Sequence, residues 1–274
     1  YLASTDKATV FSSEKKCILS LADAIVRKDL APLIFRKRGA IMANNYYDAT
    51  GVLMLNRITP VITALFGAFE LDETYPGDGR AYIARISESN DPQWADILEG
   101  LIDLTNDLDL AVGEEDGEAT IETALWALAS HFTVDQDEEL AHLIEHHPFE
   151  NEADLEALFL IASRFDDGHQ LTAILFEGCW HCSKPRLFEF GGDACFLSQE
   201  VSLFGTSSHT LELGAELRKA RLADDPAAVS ARIVTETMRL ISGFSDEEFR
   251  LGLQQRVAEQ LLRTAPLSPD TLDD

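Results

Sequence analysis

The chain has 274 residues, 46% of them hydrophobic and 26% charged, which is the composition of a folded globular protein with a sizeable core. Its formal net charge is −26, from 22 Lys and Arg against 48 Asp and Glu, and such a surface disfavours direct binding to nucleic acid or anionic membranes. No stretch approaches the roughly 18 consecutive apolar residues of a transmembrane helix, and four cysteines are too few for a disulfide scaffold. We therefore expect a cytoplasmic protein.

The first 90 residues predict one helix, followed by two short strands around a second helix. Thr59-Pro60 has the residue types of a helix N-cap and a first helical position. Pro76-Gly77-Asp78-Gly79 is a strong turn sequence, and the residues after it fit a half-buried strand. In chain order, the predicted elements are a helix at 15–28, a strand at 52–55, a helix at 59–69, a turn at 76–79 and a strand at 80–86.

The next section of the chain contains no basic residue. Between Arg85 and Arg164 lie 78 residues without Lys or Arg, and they include 21 Asp and Glu. Apolar residues recur through this section at helical spacing, so we expect it to fold rather than form a disordered acidic tail. Asp135 and Asn151 are N-cap candidates for the last two helices. The predicted helices cover about 92–110, 118–131, 136–147 and 152–164.

Four acidic residues form a row along the first of these helices. This row, which we call the acidic ridge, consists of Asp96, Glu99, Asp103 and Asp107. Their spacing of three, four and four residues places them on one face of a helix. Acids at a helix N-terminus compensate the helix dipole, but the ridge continues through the middle of the helix. It therefore predicts a docking surface for a basic protein, and mimicry of DNA charge is the narrower form of this prediction. The alternative is a general adaptation to solubility or to high salt.

After residue 165 the pattern changes from helical spacing to strands. The stretch 186–190 alternates with period two, and Gly191-Gly192-Asp193 has the composition of a hairpin turn. Strands at 171–176, 186–190 and 194–204 then form a predicted three-stranded antiparallel meander. Three helices are expected to follow. The first covers about 211–222, the second begins at Pro226, and the third begins at Ser245, where Ser245 to Glu248 has the sequence of a capping box.

One short stretch matches a metalloprotease pattern. His142-Leu143-Ile144-Glu145-His146 has the form H-x-x-E-H, and residues 141–149 resemble the metal-binding helix of the inverzincins over nine residues. The resemblance implies that His142 and His146, one turn apart, hold one Zn²⁺ while Glu145 acts as general base. In that family the motif follows strands of an α/β unit, whereas here acidic helices precede it. The downstream acids at a plausible distance for a third ligand are Glu212 and Glu216. The alternative is a solvated, His-rich helix end.

A second metal pattern involves the cysteines. Cys179-Trp180-His181-Cys182 is a C-x-x-C pair, and with Cys195 and His209 it has the ligand types of a structural zinc site. The second pair, Cys195 and His209, lacks the short loop between ligands that the C-x-x-C pair has. The alternative is a set of cysteines distributed along the meander, some of them buried as small apolar side chains.

These patterns predict a predominantly helical α+β fold, with a small antiparallel sheet near 170–204 and a candidate short-strand region near 50–86. We expect one domain over 1–274, with lobes at 1–165 and 166–274. The best-supported function is a non-enzymatic interaction protein that docks a basic protein on its acidic ridge and needs no cofactor. A zinc hydrolase and an acidic protein with structural zinc are the alternatives. The patterns leave the partner's identity and the oligomeric state open.

Overall fold

The computed structural model of the chain describes residues 45–112, 119–184 and 187–264. Within these ranges six strands form a single antiparallel sheet in the order β2-β3-β1-β4-β5-β6. The strands are β1 (Asn45–Met54), β2 (Asp72–Pro76), β3 (Arg80–Ile86), β4 (Ala173–Cys182), β5 (Phe190–Ser198) and β6 (Ser202–Thr206).

Eight α-helices are present in the same described part of the chain. They are α1 (Pro60–Phe66), α2 (Trp94–Asp107), α3 (Ile121–His131), α4 (Glu138–His146), α5 (Leu155–Arg164), α6 (Ser207–Leu222), α7 (Pro226–Ser242) and α8 (Glu247–Thr264). A short 3₁₀ turn, Gly67–Phe69, follows α1. Among the residues that the structure describes, no helix has both the length and the apolar character needed to cross a membrane.

The prediction of a predominantly helical fold with a small sheet is wrong. Helices account for 49% and strands for 24% of the described residues, so the fold is a balanced α+β arrangement. The two strand regions predicted near 50–86 and 170–204 belong to one sheet, because β1 pairs with β4 along its whole length, from Asn45 opposite Cys182 to Met54 opposite Ala173. This pairing joins segments that are far apart in sequence, so local patterns could not reveal it.

One face of the sheet, the inner face, carries the hydrophobic core. Along β1 the buried Ala49 and Leu53 alternate with the exposed Thr50 and Met54, as expected for a strand with one covered face. Helices α1 to α5 supply the other side of the core. The core includes Leu53, Ile62, Leu65, Phe66, Ile97, Leu101, Leu125, Leu158 and Ile174.

Several predicted boundaries are confirmed. Thr59 is the N-cap residue of α1 and Pro60 its first residue, and β3 covers the predicted strand. The turn before β3 is also present, and Gly77, Asp78 and Gly79 all have positive φ there. The predicted helix at 15–28 and the residue Arg186 lie outside the described residues.

Other boundaries are corrected by side-chain contacts. The third and fourth helices of the acidic section are capped by Asp137 and Asp154, not by Asp135 and Asn151. Asp246, rather than Ser245, accepts the hydrogen bond from the backbone N–H of Phe249 in the first turn of α8. The hydroxyl of Ser245 instead donates to the carbonyl oxygens of Gln199 and Glu200.

Gly191 to Asp193 lie within β5 and do not form the predicted hairpin turn. Gly191 is opposite Trp180 of β4, and a Cβ on Gly191 would come within 2.0 Å of the indole ring. Glycine at this position therefore makes room for the Trp180 ring. A three-stranded meander is present as β4, β5 and β6, but two of its predicted strands are wrong. Residues 187–189 of the predicted strand at 186–190 lie outside any strand, and the predicted strand at 194–204 is divided between β5 and β6.

Candidate partner-binding groove

The acidic ridge forms one wall of a groove between α1 and α2. All four ridge residues line this groove, whose volume is about 950 Å³, and all four are exposed. From Asp96 to Asp107 the ridge extends about 16 Å along the helix, at 1.5 Å per residue. We call this feature the acidic groove.

The opposite wall of the acidic groove consists of small side chains from α1 and the turn after it. The residues on this wall are Pro60, Thr63, Ala64, Gly67 and Ala68. The two helices approach each other closely at Gly100, where a Cβ would lie 2.4 Å from the carbonyl oxygen of Ala64. The sequence therefore produces a shallow groove with one flat wall and one acidic wall.

The charge of the acidic groove is uncompensated along most of its length. Among the described residues that line it there is no Lys, Arg or His. Within the described ranges, no ion pair joins Glu99, Asp103 or Asp107 to a basic side chain. Asp96 has a local structural role as well, because one of its oxygens accepts a hydrogen bond from the backbone N–H of Gln93 at 2.8 Å. Asp91, also in the lining, pairs with Arg85.

A buried hydroxyl lies at the α1 end of the acidic groove. Thr59 is 7% exposed and its Oγ1 has no hydrogen-bond partner among the described residues. Thr59 does not cap α1 with its own side chain, because Oδ2 of Asp167 accepts the hydrogen bond from the Val61 N–H at 3.2 Å. Buried hydroxyls are normally hydrogen-bonded, so the Thr59 hydroxyl is an exception among the described residues.

The H-x-x-E-H residues lie on the surface of α4. His142, Glu145 and His146 are all exposed. The two imidazole rings stack with centroids 4.3 Å apart, and Nδ1 of His146 lies 3.0 Å from the carbonyl oxygen of His142. Within the described ranges, no cluster of three or more potential metal ligands includes these residues, Glu212 or Glu216. The zinc-hydrolase assignment therefore stays a prediction with no further support from the geometry.

The four candidate ligands of the cysteine site are separated by the strand geometry. Cys179 and Cys182 are three residues apart on β4 and therefore point to opposite faces of the sheet. Cys195, opposite Phe176, lies on the inner face, where burial raises the pKa of its thiol to about 11. Nε2 of His209 lies 2.7 Å from a carboxylate oxygen of Glu236. Among the described residues these four do not form a ligand cluster.

The described ranges contain one cluster of three potential metal ligands, formed by Asp166, Asp167 and His169. Nδ1 of His169 accepts a hydrogen bond from the Leu171 N–H at 2.8 Å, so the lone pair of this nitrogen is already used. Asp166 accepts hydrogen bonds from two backbone N–H groups of the same loop. The guanidinium of Arg57 also lies against this loop at Gly168. The arrangement is explained as a loop that caps α1.

The inner face of the sheet also contains a polar cluster that the sequence patterns did not predict. The Arg85 side chain is 16% exposed and forms ion pairs with Asp91 at 2.6 Å and Glu152 at 2.7 Å. Its guanidinium lies 5.2 Å from the centre of the Tyr47 ring, and the Tyr47 hydroxyl bonds Asp193. In the sequence, Arg85 marks only the start of the section without basic residues. The cluster ties β1, β3 and β5 to the loops around α2 and α5.

A second groove, of about 670 Å³, lies on the outer face of the sheet. Its lining is mainly apolar and aromatic and includes Tyr75, Tyr82, Leu175, Phe196 and Leu203. It contains few polar groups that could orient a specific ligand, whereas the acidic groove brings together all four residues of the predicted ridge. Comparison of the chain with protein-family models, with curated proteins and with solved structures finds no significant match.

Proposed function

We propose that the chain is a non-enzymatic interaction protein whose acidic groove binds a Lys- and Arg-rich segment of another protein. The observation that carries this proposal is the row of carboxylates along one groove wall, with no basic residue in the lining. A concave surface of one charge sign attracts and orients partners of the opposite sign.

The energetics of α2 support a role for the acidic ridge in binding. The four ridge residues form three successive like-charge pairs on one face of α2, at spacings of three, four and four residues. Each such pair destabilises a helix by roughly 0.2–0.5 kcal/mol, so the three cost about 0.6–1.5 kcal/mol together. A bound row of ammonium or guanidinium groups would remove this repulsion, so part of the binding free energy would come from α2 itself.

The shape of the acidic groove favours a particular kind of basic segment. The α1 wall has only small side chains, so a segment with small apolar residues on one side could lie close to it. Its Lys or Arg residues would then face the ridge. A helix with basic residues three and four positions apart matches the spacing of the ridge.

Mimicry of DNA charge is a narrower form of this proposal. It requires that the basic segment also be a phosphate-binding surface, so that carboxylates and phosphates compete for the same Lys and Arg. Duplex DNA added to the complex would then displace the acidic protein from its partner. A partner that binds DNA and this chain simultaneously would leave the broader proposal intact and exclude the mimic.

The direct experiment uses a helical peptide with Lys at positions three and four residues apart and Ala elsewhere, titrated into the full chain by calorimetry. The same peptide with Glu in place of Lys is the reference. The expected result is binding of the Lys peptide only, with an affinity that falls as salt is raised, because screening weakens contacts between exposed charges.

Two matched double variants test where the peptide binds. Glu99→Gln with Asp103→Asn removes two ridge charges, and Asp135→Asn with Glu138→Gln removes two exposed charges outside the groove lining. The ridge variant is expected to weaken binding about tenfold, equivalent to about 1.4 kcal/mol. The control variant is expected to change it less than about twofold. Equal losses in the two variants would show attraction by overall charge and would refute binding in the groove.

A further inference from the structure

The three C-terminal helices, α6 to α8, have almost no core of their own. We call residues 207–264 the helical arm. Of its described side chains only Ile241 is a buried apolar residue, whereas each of α1 to α5 contributes several. Helices of this length are marginal alone in water and gain most of their stability by packing an apolar face.

The contacts between α6 and α7 are strongly polar. Arg232 of α7 forms ion pairs with Glu216 at 2.7 Å and with Glu236 at 3.1 Å. Glu236 also accepts from His209 of α6. Partly exposed ion pairs contribute little to stability, with a median of about 0–1 kcal/mol. These contacts position the helices without burying the large apolar side chains of the arm.

Those apolar side chains are exposed on α7 and α8. Leu262 is 78% exposed and Leu251 is 60% exposed. The exposed large apolar side chains on the described part of these two helices are Ile233, Val234, Met238, Leu240, Phe249, Leu251, Leu261 and Leu262. Scattered apolar residues are normal on a protein surface, but several exposed large apolar side chains on two helices that contact each other favour an interaction site.

The distribution of charge indicates which partner fits this surface. Residues 45–206 contain six Lys and Arg against 32 Asp and Glu, whereas residues 207–264 contain eight against nine. Two copies of the chain would repel each other through their acidic parts, but the helical arm is nearly neutral. A strongly basic partner would be attracted to residues 45–206 instead.

The two ends of helix α8 carry charges of opposite sign. Its first turn carries Glu247 and Glu248, and its last turn carries Arg263. In an antiparallel pair the acidic end of one α8 lies beside the basic end of the other, and the two helix dipoles also oppose each other favourably. An interface in which the same surface is used twice is the commonest form of homodimer.

We propose that the apolar surface of α7 and α8 binds the same surface of a second copy of this chain, with the two α8 helices antiparallel. Helices of 17 and 18 residues are each about 26 Å long and about 10 Å wide, so together they present a flat footprint of about 500 Å². The side chains make the accessible area larger than this footprint. The footprint is smaller than the roughly 800 Å² per partner of a standard interface, so we expect a weak homodimer that forms at micromolar concentrations.

Sedimentation equilibrium of the full chain tests the homodimer. The expected mass is twice that of one chain at micromolar concentrations. Leu251→Gln with Leu262→Gln is expected to raise the dissociation constant at least about tenfold. Leu187→Gln is the matched control, because Leu187 is 82% exposed but lies outside the arm, and it is expected to leave the dissociation constant unchanged. All these side chains are exposed, and circular dichroism verifies that the helices remain.

A charge exchange tests the antiparallel orientation. Glu248→Arg and Arg263→Glu are each expected to weaken the dimer, and the two together are expected to restore it. No restoration would refute the antiparallel pairing. A wild-type chain that stays monomeric up to about 100 μM would refute the dimer, and a dimer insensitive to Leu251→Gln with Leu262→Gln would refute the arm as its interface. The ridge variants of the proposed function are expected to remain dimeric, so the two proposals fail separately.

Discussion

The Tyr47 hydroxyl donates a hydrogen bond to Oδ1 of Asp193 at 2.8 Å across the inner face of the sheet. Tyr47 is on β1 and Asp193 on β5, so β4 lies between them. The contact requires Gly178 on β4, because a Cβ there would come within 2.6 Å of the Tyr47 hydroxyl. Burial raises the pKa of both groups, so the hydroxyl remains protonated and the donor of the bond.

The first prediction concerns the loss of this donor. Tyr47→Phe leaves a half-buried carboxylate without its hydrogen bond from the phenol, so the free energy of unfolding is expected to fall by about 1–3 kcal/mol. Urea denaturation measures the change. Tyr75→Phe is the control, because Tyr75 is 61% exposed, and it is expected to change stability by less than about 0.5 kcal/mol. Equal effects in the two variants would contradict a structural role for the Tyr47 bond.

The second prediction concerns pH. Burial raises the pKa of Asp193 above its unfolded value, so the folded state binds this proton more tightly. The resulting stability is fully present below the unfolded pKa of about 3.9 and is lost as pH rises through the folded pKa. The unfolding free energy of the wild type, minus that of Asp193→Asn, is therefore expected to fall as pH rises above about 4.

The pKa of Asp137 is shifted in the opposite direction to that of Asp193, so Asp137 serves as a comparison. A hydrogen bond from the Leu140 N–H, assisted by Arg164, lowers the pKa of Asp137. Its contribution to stability is therefore present above the unfolded pKa and is lost as pH falls through the folded pKa. Urea denaturation of Asp137→Asn and Asp193→Asn over the same pH series should give opposite slopes relative to the wild type. Parallel slopes would show that the two carboxylates do not differ in environment.

The third prediction concerns the close approach of α1 and α2. Gly100→Ala places a Cβ against the backbone of Ala64, which cannot move without separating the helices, so we expect a loss of about 1–3 kcal/mol. Gly214→Ala on α6 is the matched control, because nothing lies within 4 Å of its Cβ position. Removing an exposed helical glycine is expected to stabilise the chain by about 0.5–1 kcal/mol. Thermal denaturation measures whether each substitution lowers or raises the stability of the chain.

Local chemistry accounts for the parts of the fold that were predicted. Thr59-Pro60 begins α1, and Pro76 to Gly79 form the turn before β3, because proline and glycine restrict the backbone within a few residues. The ridge was also predictable, since it depends only on helical spacing. Its four residues occupy one face of α2 and line one groove.

The parts that were missed depend on contacts between distant segments. Gly51 lies inside β1, where a Cβ would come within 2.1 Å of the Leu175 carbonyl oxygen, so this glycine permits close approach of β4. The predicted strand at 52–55 therefore included only the end of β1. The α1 wall of the acidic groove was missed for the same reason. Residues of α1 lie opposite the ridge only after α1 and α2 pack together.

The last prediction concerns the buried hydroxyl of Thr59. Thr59→Val removes an oxygen that has no hydrogen-bond partner among the described residues and keeps nearly the same shape. The unfolding free energy of the free protein is therefore expected to stay the same or rise by up to about 1 kcal/mol. The same variant is expected to leave binding of the Lys peptide unchanged, because Oγ1 is buried and the carboxylates of the ridge remain. Thr63→Val is a comparison within the lining, because Thr63 is exposed and its loss should affect stability little. A loss of stability in Thr59→Val would contradict an unpartnered hydroxyl, and weaker peptide binding would show that the hydroxyl contacts the peptide.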